Sequence, residues 1–126
     1  MNVLFAEHEA IKDLIARYVD AGYNADIDAL KEIFHPDASM YGFLGNDKVI
    51  GTPEMFLADL ASKPSMASQD IDYRYVLKDL SVAGNIASAS IIVDNFFDVA
   101  CVEDFFHLIK EDGKWKIVCK TFTVLA

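Results

Sequence analysis

Hydrophobic residues follow two different spacings along this chain, and the spacing changes once, near residue 70. Before that point they recur every three or four positions, which is typical of helices that bury one side. After it they form long apolar stretches separated by short turns, which is typical of strands. Helices followed by strands predict an α+β domain rather than a fold that alternates the two.

The first part of the chain predicts three helices. The first covers residues 4–23, and its apolar stripe consists of Ile11, Leu14, Ile15, Tyr18 and Gly22. Asp26 can cap a second, short helix, which ends before Pro36 because the residue before a proline avoids the α region. Thr52-Pro53-Glu54 begins a third helix with a cap, a proline at the first position and an acid in the first turn. Short strands are predicted between the second and third helices, over residues 38–44 and 48–51.

The second part predicts strands over residues 72–82, 86–97, 101–110 and 114–124, with turns at Gly84-Asn85 and Glu111-Asp112-Gly113. Consecutive strands joined by short turns form an antiparallel meander. We therefore expect a single domain over residues 1–126. In it, three N-terminal helices cover a strongly curved, mostly antiparallel sheet, and a closed apolar pocket lies between the two layers.

The last hairpin determines which residues of its two strands share a face. A three-residue loop with Gly113 in the left-handed conformation places Asp104 opposite Lys120 and Phe106 opposite Val118. A two-residue loop is the alternative, and it would shift this register by one and separate Asp104 from Lys120.

Both faces of this hairpin are apolar, and only one can pack against the helices. The other face would be a large exposed patch on a monomer. We therefore expect a homodimer whose interface includes Phe105, His107, Ile109, Trp115 and Ile117. Two alternatives stay open: the patch is partly wetted and tolerated, or it docks a different protein.

Composition narrows the functional classes. The 126 residues are 53% hydrophobic and 12% aromatic, and this excess must line a cavity or an interface. The net charge of −9 and the lack of a basic stripe argue against nucleic acid and anionic membranes as partners. The start of the chain has no secretory signal pattern, and no apolar run reaches the length of a spanning helix, so a cytoplasmic location is expected. The three histidines have no ligand spacing, so neither a metal site nor a cofactor is expected.

Several short segments, in their order and spacing, resemble the nuclear transport factor 2-like (NTF2-like) superfamily over nearly the whole chain. They are Arg17-Tyr18-Val19 and residues 26–30, 33–38 and 112–118. Glu103-Asp104-Phe105-Phe106 and residues 115–120 look closest to small bacterial lumazine-binding-like proteins, with SnoaL-like cyclases and ketosteroid isomerases as more distant relatives. The resemblance implies a cone-shaped α+β barrel of the cystatin-like type, with a pocket at its wide end and frequent dimers. The superfamily holds enzymes and pure binding modules, so it does not give the function.

The resemblance to the isomerases also implies candidate catalytic residues. Tyr18 matches a tyrosine that donates a hydrogen bond to a developing oxyanion, and Asp104 matches the acid beside it. The proton-shuttling aspartate of those enzymes would fall at Gly42, which has no side chain. Lys120 opposite Asp104 would also favour the ionised carboxylate. The classical isomerase mechanism is therefore not expected.

Asp104 and Lys120 have two other interpretations, as anchors for a polar heterocycle or carboxylate and as a structural ion pair. His35, before a proline at a helix end, is a candidate general base near the pocket mouth. One of Asp94 and Asn95 is expected to point into the cavity, although the sequence does not choose between them. The expected pocket lining is Tyr18, Phe34, Met40, Phe56, Leu60, Asp104, Phe106, Val118, Lys120 and Phe122.

Three functional hypotheses follow. The first is a dimeric binding domain for a small, partly aromatic or heterocyclic molecule, anchored by Asp104, Lys120 and Tyr18. The second is a metal-free cyclase, dehydratase or isomerase that uses His35 or Asp104 for proton transfer. The third is a protein-interaction module that uses the outer face of the sheet.

Overall fold

The computed structural model describes residues 2–126 and contains three α-helices. Helix α1 spans Asn2–Asn24, α2 spans Ile27–Ile33 and α3 spans Glu54–Ala61, followed by a 3-10 turn at Ala67–Gln69. The predicted cap of α2 is present, since the Asp26 carboxylate accepts a hydrogen bond from the Ala29 N–H at 3.2 Å. No helix within residues 2–126 is both long enough and apolar enough to cross a membrane.

Six strands form one sheet behind the helices. They are β1 (Phe34–Leu44), β2 (Asp47–Gly51), β3 (Arg74–Ala83), β4 (Ile86–Phe96), β5 (Ala100–Glu111) and β6 (Lys114–Val124). The order across the sheet is β2-β1-β6-β5-β4-β3, and only the β1–β6 pair is parallel. The prediction of an α+β fold with three helices on a mostly antiparallel sheet is confirmed.

The core lies between α1 and the inner face of the meander. On α1 it contains Ile11, Ile15 and Tyr18, and on the strands it contains alternate residues, because successive side chains of a strand point to opposite faces. The inward residues of the last three strands are Ala87, Ala89, Ile91, Val93, Val102, Phe106, Leu108, Trp115 and Ile117. These side chains fill the interior from the β5–β6 turn to Val93 and Val102 at the opposite end of the sheet.

The β5–β6 turn contains two residues, not the three that the sequence predicted. Asp112 and Gly113 both have positive φ, +51° and +77°, which is the backbone of a tight two-residue hairpin. Glu111 consequently pairs with Lys114 and Lys110 with Trp115. A regular continuation of this register would have turned Lys120 away from the helices.

A β-bulge in β6 shifts the register by one more residue and so restores the predicted face of the later side chains. Leu108 pairs with Ile117 and His107 pairs with Cys119, so Val118 is the additional residue. Beyond the bulge, Phe106 pairs with Lys120 and Asp104 with Phe122, which returns Lys120 to the inner face. The prediction that Asp104 directly faces Lys120 is wrong, although both side chains do lie on the inner face.

The two-residue turn and the bulge together correct the prediction for three hydrophobic residues. Trp115 and Ile117 were expected at a dimer interface, but they are buried in the core with 7% and 0% exposure. The Trp115 Nε1–H donates to the Glu7 carboxylate on α1 at 3.1 Å. Val118 was expected in the pocket, but it lies on the outer face with Phe105 and His107.

Candidate functional site

A cavity of about 480 Å³ lies at the end of the domain away from the β5–β6 turn. Helices α1 and α3 form one wall, and residues of β1, β2, β4, β5 and the part of β6 beyond the bulge form the other. Six of the predicted lining residues are in its wall: Tyr18, Met40, Phe56, Asp104, Lys120 and Phe122. Phe34, Leu60 and Phe106 are instead buried in the core behind it. The cavity is therefore predominantly apolar, with a small polar group at its sheet side.

Lys120 is the central polar residue of this cavity. It is only 5% exposed, and its Nζ lies 3.9 Å from the centre of the Phe56 ring and about equally far, 5.5 and 5.4 Å, from those of Tyr18 and Phe122. Within residues 2–126 no carboxylate forms an ion pair with it, and the aromatic rings can stabilise its charge through cation–π contacts. Burial lowers the pKa of the Lys120 ammonium, and the attraction of Asp104 opposes this only in part.

Asp104 is the second buried polar group of the cavity. It lies on β5, two residues before Phe106, which pairs with Lys120. It is 4% exposed, and its Oδ1 has no hydrogen-bond partner among the described residues. Burial raises the pKa of the Asp104 carboxyl group, while Lys120 and Tyr18 lower it by smaller amounts. An unpaired buried carboxyl oxygen is costly, so this atom is available to a ligand that can donate a hydrogen bond.

Tyr18 joins the cavity to the core. Its ring contacts Phe34 and Phe106 edge-on and lies over Phe56 at 6.3 Å. Burial, followed by the nearby Asp104, raises the pKa of the Tyr18 hydroxyl well above its usual value. The hydroxyl therefore stays protonated at neutral pH and can donate a hydrogen bond.

The structure explains why Gly42 carries no side chain. Gly42 pairs with Phe122 across the parallel β1–β6 ladder, and a Cβ at this position would overlap both the carbonyl oxygen and the ring of Phe122. An aspartate at position 42 would thus require the strands to move apart. The sequence-based objection to the classical isomerase mechanism gains a steric basis.

Three other predicted site residues lie outside the cavity. The His35 Nε2–H donates to Glu111 at 2.8 Å, beside the β5–β6 turn, and its Nδ1 accepts from the Asp37 N–H. The expectation that His35 lies near the pocket mouth is therefore wrong. Asp94 pairs with Arg74 at 3.1 Å, and Asn95, with φ of +71°, donates to the Asp72 carbonyl oxygen. The expectation that one of this pair faces the cavity is also wrong.

Among the cavity-wall residues that sequence reasoning missed, four are aromatic or charged: Tyr73, Phe96, Asp59 and Lys63. Tyr73 stacks on Tyr23 and contacts Phe96, and burial raises its pKa. Asp59 and Lys63 pair on α3 at 3.2 Å. Their spacing of four residues was a readable signal for a helical ion pair, but nothing in it indicated a cavity. Within residues 2–126 no cluster of histidine, cysteine and carboxylate side chains could hold a metal ion.

The sequence matches a family described as "Putative lumazine-binding" over residues 6–123. Among curated proteins it is similar to Aldolase FrzH from a Cladobotryum species, with 24% identity over 121 residues that cover 96% of this chain and 94% of the aldolase.

Solved structures with the same fold include an NTF2-like protein of unknown function from Silicibacter pomeroyi. It is 25% identical to this chain, with a TM-score of 0.84. The match covers 96% of this chain and 98% of the Silicibacter protein. An NTF2-like protein with a cystatin-like fold from Novosphingobium aromaticivorans has 19% identity and a TM-score of 0.71, covering 98% and 86%. The latter similarity concerns the fold alone.

Proposed function

This chain belongs to that lumazine-binding family of the NTF2-like superfamily, and from this premise we propose that its cavity binds a small, partly aromatic organic molecule. The observation that carries the proposal is the unpaired Asp104 Oδ1 beside the Lys120 amine in an otherwise apolar cavity. Such cavities bind ligands mainly through apolar walls and orient them through a few polar groups.

The arrangement of the polar groups limits the chemistry of the ligand. Asp104 can accept a hydrogen bond, whereas Lys120 and Tyr18 can donate, and all three belong to the same wall. A flat heterocycle with a ring N–H next to a carbonyl group, or an aromatic acid, would satisfy both kinds of group. The rings of Phe56, Phe122 and Tyr73 supply surfaces on which such a ligand can stack.

Gly22 provides a direct test of the site. It lies in α1 on the cavity wall, and a Cβ at this position would meet nothing within 4 Å. Gly22→Leu should therefore fill part of the cavity while it favours the helix. The control variant Thr123→Leu adds a similar side chain on the exposed outer face.

Thermal-shift and calorimetric titrations would use pterins, lumazines and aromatic carboxylic acids. A ligand at 100 times its Kd stabilises the folded state by about 2.7 kcal/mol, an easily measured shift. We expect stabilisation of the wild type and of Thr123→Leu, and none of Gly22→Leu. If no compound in these classes stabilised the wild type, or if Gly22→Leu bound equally well, the proposal would fail.

A second candidate function is an enzyme that transfers protons through Asp104. The burial-raised pKa of Asp104 and the aldolase among the relatives favour it. It predicts that Asp104→Asn abolishes turnover and leaves the fold intact. Because His35 lies outside the cavity, His35→Ala should keep full activity, and an equal loss in both variants would contradict this assignment.

The outer face of the sheet supports a homodimer as part of the same proposal. Tyr41, Phe43, Ile50 and Phe105 are all exposed there, and Phe105 is 54% exposed. Sedimentation of the purified chain should show a dimer that Phe105→Lys converts to a monomer. A wild-type monomer would instead favour a different protein as the partner of this face.

A further inference from the structure

We propose that Lys120 is a covalent site, whose amine forms a Schiff base with a small aldehyde or ketone bound in the cavity. This inference rests on the proposed function, because the carbonyl compound must first enter the cavity.

The Lys120 amine projects into an enclosed apolar space, and no side chain within residues 2–126 satisfies it by ion pairing. Lys63, Lys78 and Lys110 each bind a carboxylate at 2.7 to 3.2 Å, and Lys116 donates to the Glu32 carbonyl oxygen. A lysine held by a carboxylate stays an ammonium, which has no lone pair for attack. Lys120 instead lines a cavity of about 480 Å³, which can admit a small carbonyl compound.

The environment also favours the neutral amine. Burial lowers the pKa of Lys120, whereas burial raises that of Asp104. Of the other groups on the cavity wall, Tyr18 and Tyr73 remain neutral phenols, and Asp59 pairs with Lys63. The pKa shifts of Lys120 and Asp104 therefore favour an uncharged amine and an uncharged carboxylic acid. These are the forms that Schiff-base formation needs.

The covalent step can be written with these two groups alone. The Lys120 nitrogen forms a bond to the carbonyl carbon, and one proton moves from the nitrogen to the carbonyl oxygen, giving a carbinolamine. The oxygen then takes a proton from the Asp104 carboxyl group and leaves as water. The product is an iminium ion that retains one proton on nitrogen and faces the Asp104 carboxylate, with atoms and charge balanced.

The test uses benzaldehyde as the carbonyl probe and sodium cyanoborohydride as the hydride donor, at pH 7 with the full chain. Hydride addition to the iminium carbon leaves a stable secondary amine and adds one benzyl group to the mass. At this pH only about one exposed lysine in 2,500 is neutral, given an ordinary pKa of 10.4. The α-amino group, with an ordinary pKa near 7.7 to 8.0, is the chemical competitor, and peptide mapping separates it from Lys120.

We expect the first benzyl group on Lys120, at a rate at least tenfold above that of any other lysine. Lys120→Arg keeps the charge but cannot form a Schiff base, and it should lose this adduct, whereas the matched variant Lys78→Arg, on β3 outside the cavity, should keep it. Peptide mapping of the labelled wild type tests the proposal even if Lys120→Arg fails to fold.

Labelling of Lys120 no faster than of Lys63 or Lys78 would overturn the proposal. Reversible ligand binding is measured separately by titration without the hydride donor. A chain that binds aromatic acids but gives no Lys120 adduct would retain the proposed function and lose this inference. A chain that shows neither would lose both.

Discussion

Lys120→Met tests the coupling between the two buried polar groups. Methionine keeps an unbranched side chain of similar length, and its sulfur can contact the surrounding aromatic rings favourably. The substitution removes the Lys120 amine, whose protonated form attracts the carboxylate of Asp104, and the Asp104 Oδ1 already has no hydrogen-bond partner in the described chain. Asp104 then remains as a buried acid without a counterion.

The effect on stability follows from the pKa of Asp104. Burial raises this pKa and Lys120 lowers it, so loss of Lys120 must raise it further. A folded-state pKa above the unfolded value favours the folded state at low pH, and that stability is lost as pH rises through the folded-state pKa. Between the ordinary value of about 3.9 and the raised one, the free energy of unfolding should fall by about 1.4 kcal/mol per pH unit. For a domain of this length, that corresponds to about 5 °C in Tm per pH unit.

Urea denaturation at intervals from pH 4 to pH 8 measures this slope in the wild type, Lys120→Met and the double variant Lys120→Met/Asp104→Asn. The fall in the free energy of unfolding should extend to higher pH in Lys120→Met than in the wild type. It should be absent from the double variant. Exposed carboxylates contribute the same pH dependence in all three proteins, so their contributions cancel when the stability profiles are subtracted. In the wild type, the lowered pKa of Lys120 adds a separate rise in stability toward pH 10, which both variants lack. Identical profiles for the wild type and Lys120→Met would refute the coupling.

Further predictions concern positions with a clear steric or packing role, and all are measured by urea denaturation. Gly42→Ala should destabilise the fold by about 1–3 kcal/mol, because its Cβ overlaps Phe122, whereas Gly22→Ala should stabilise α1 by about 0.5–1 kcal/mol. Trp115→Ala should cost about 3–5 kcal/mol, as expected for a core residue, and a value near zero would contradict its burial. His35→Ala should cost less than about 1 kcal/mol, since its bond to Glu111 is at the surface, and it should leave ligand affinity unchanged.

The helices were predictable because their boundaries depend on local chemistry. The Asp26 cap and the Thr52-Pro53-Glu54 start act within one turn of the chain, and the structure places helix starts within a residue or two of both. Most strand boundaries were predictable for a similar reason, since turns that contain Gly45, Gly84 and Gly113 separate three of the strand pairs. Most of the inner-face residues followed from simple alternation along those strands.

The register of β6 could not be predicted from turn residues and strand alternation. Asp112-Gly113 fits a two-residue turn, and Glu111-Asp112-Gly113 fits a three-residue loop, so the turn sequence allowed both. Val118 is not a residue type that marks a bulge. The wrong loop length and the unforeseen bulge each shifted the register by one residue in the same direction, and the total shift of two beyond Val118 left the predicted faces unchanged. The prediction was consequently right for Lys120 and Phe122 and wrong for Trp115 and Ile117.

The bulge therefore separates two parts of β6 with different roles. Before it, Trp115 and Ile117 fill the core, and beyond it, Lys120 and Phe122 line the cavity. Because two residues, Val118 and Cys119, oppose only His107, removal of Val118 would leave a regular ladder with every later side chain on its present face. Deletion of Val118 should thus be tolerated, although deletions inside strands usually are not.

Deletion of Phe105 is the matched control, since it also removes an outward hydrophobic residue, but from a regular part of β5. It must turn outward either Val102 and Asp104 or Phe106 and Leu108, and the exposure of each large core side chain costs about 1.5–3 kcal/mol. We expect the Val118 deletion to fold cooperatively and keep its ligand site, and the Phe105 deletion to lose cooperative unfolding in urea. Equal damage from the two deletions would show that the bend introduced by the bulge, rather than the alternation it restores, is what the fold requires.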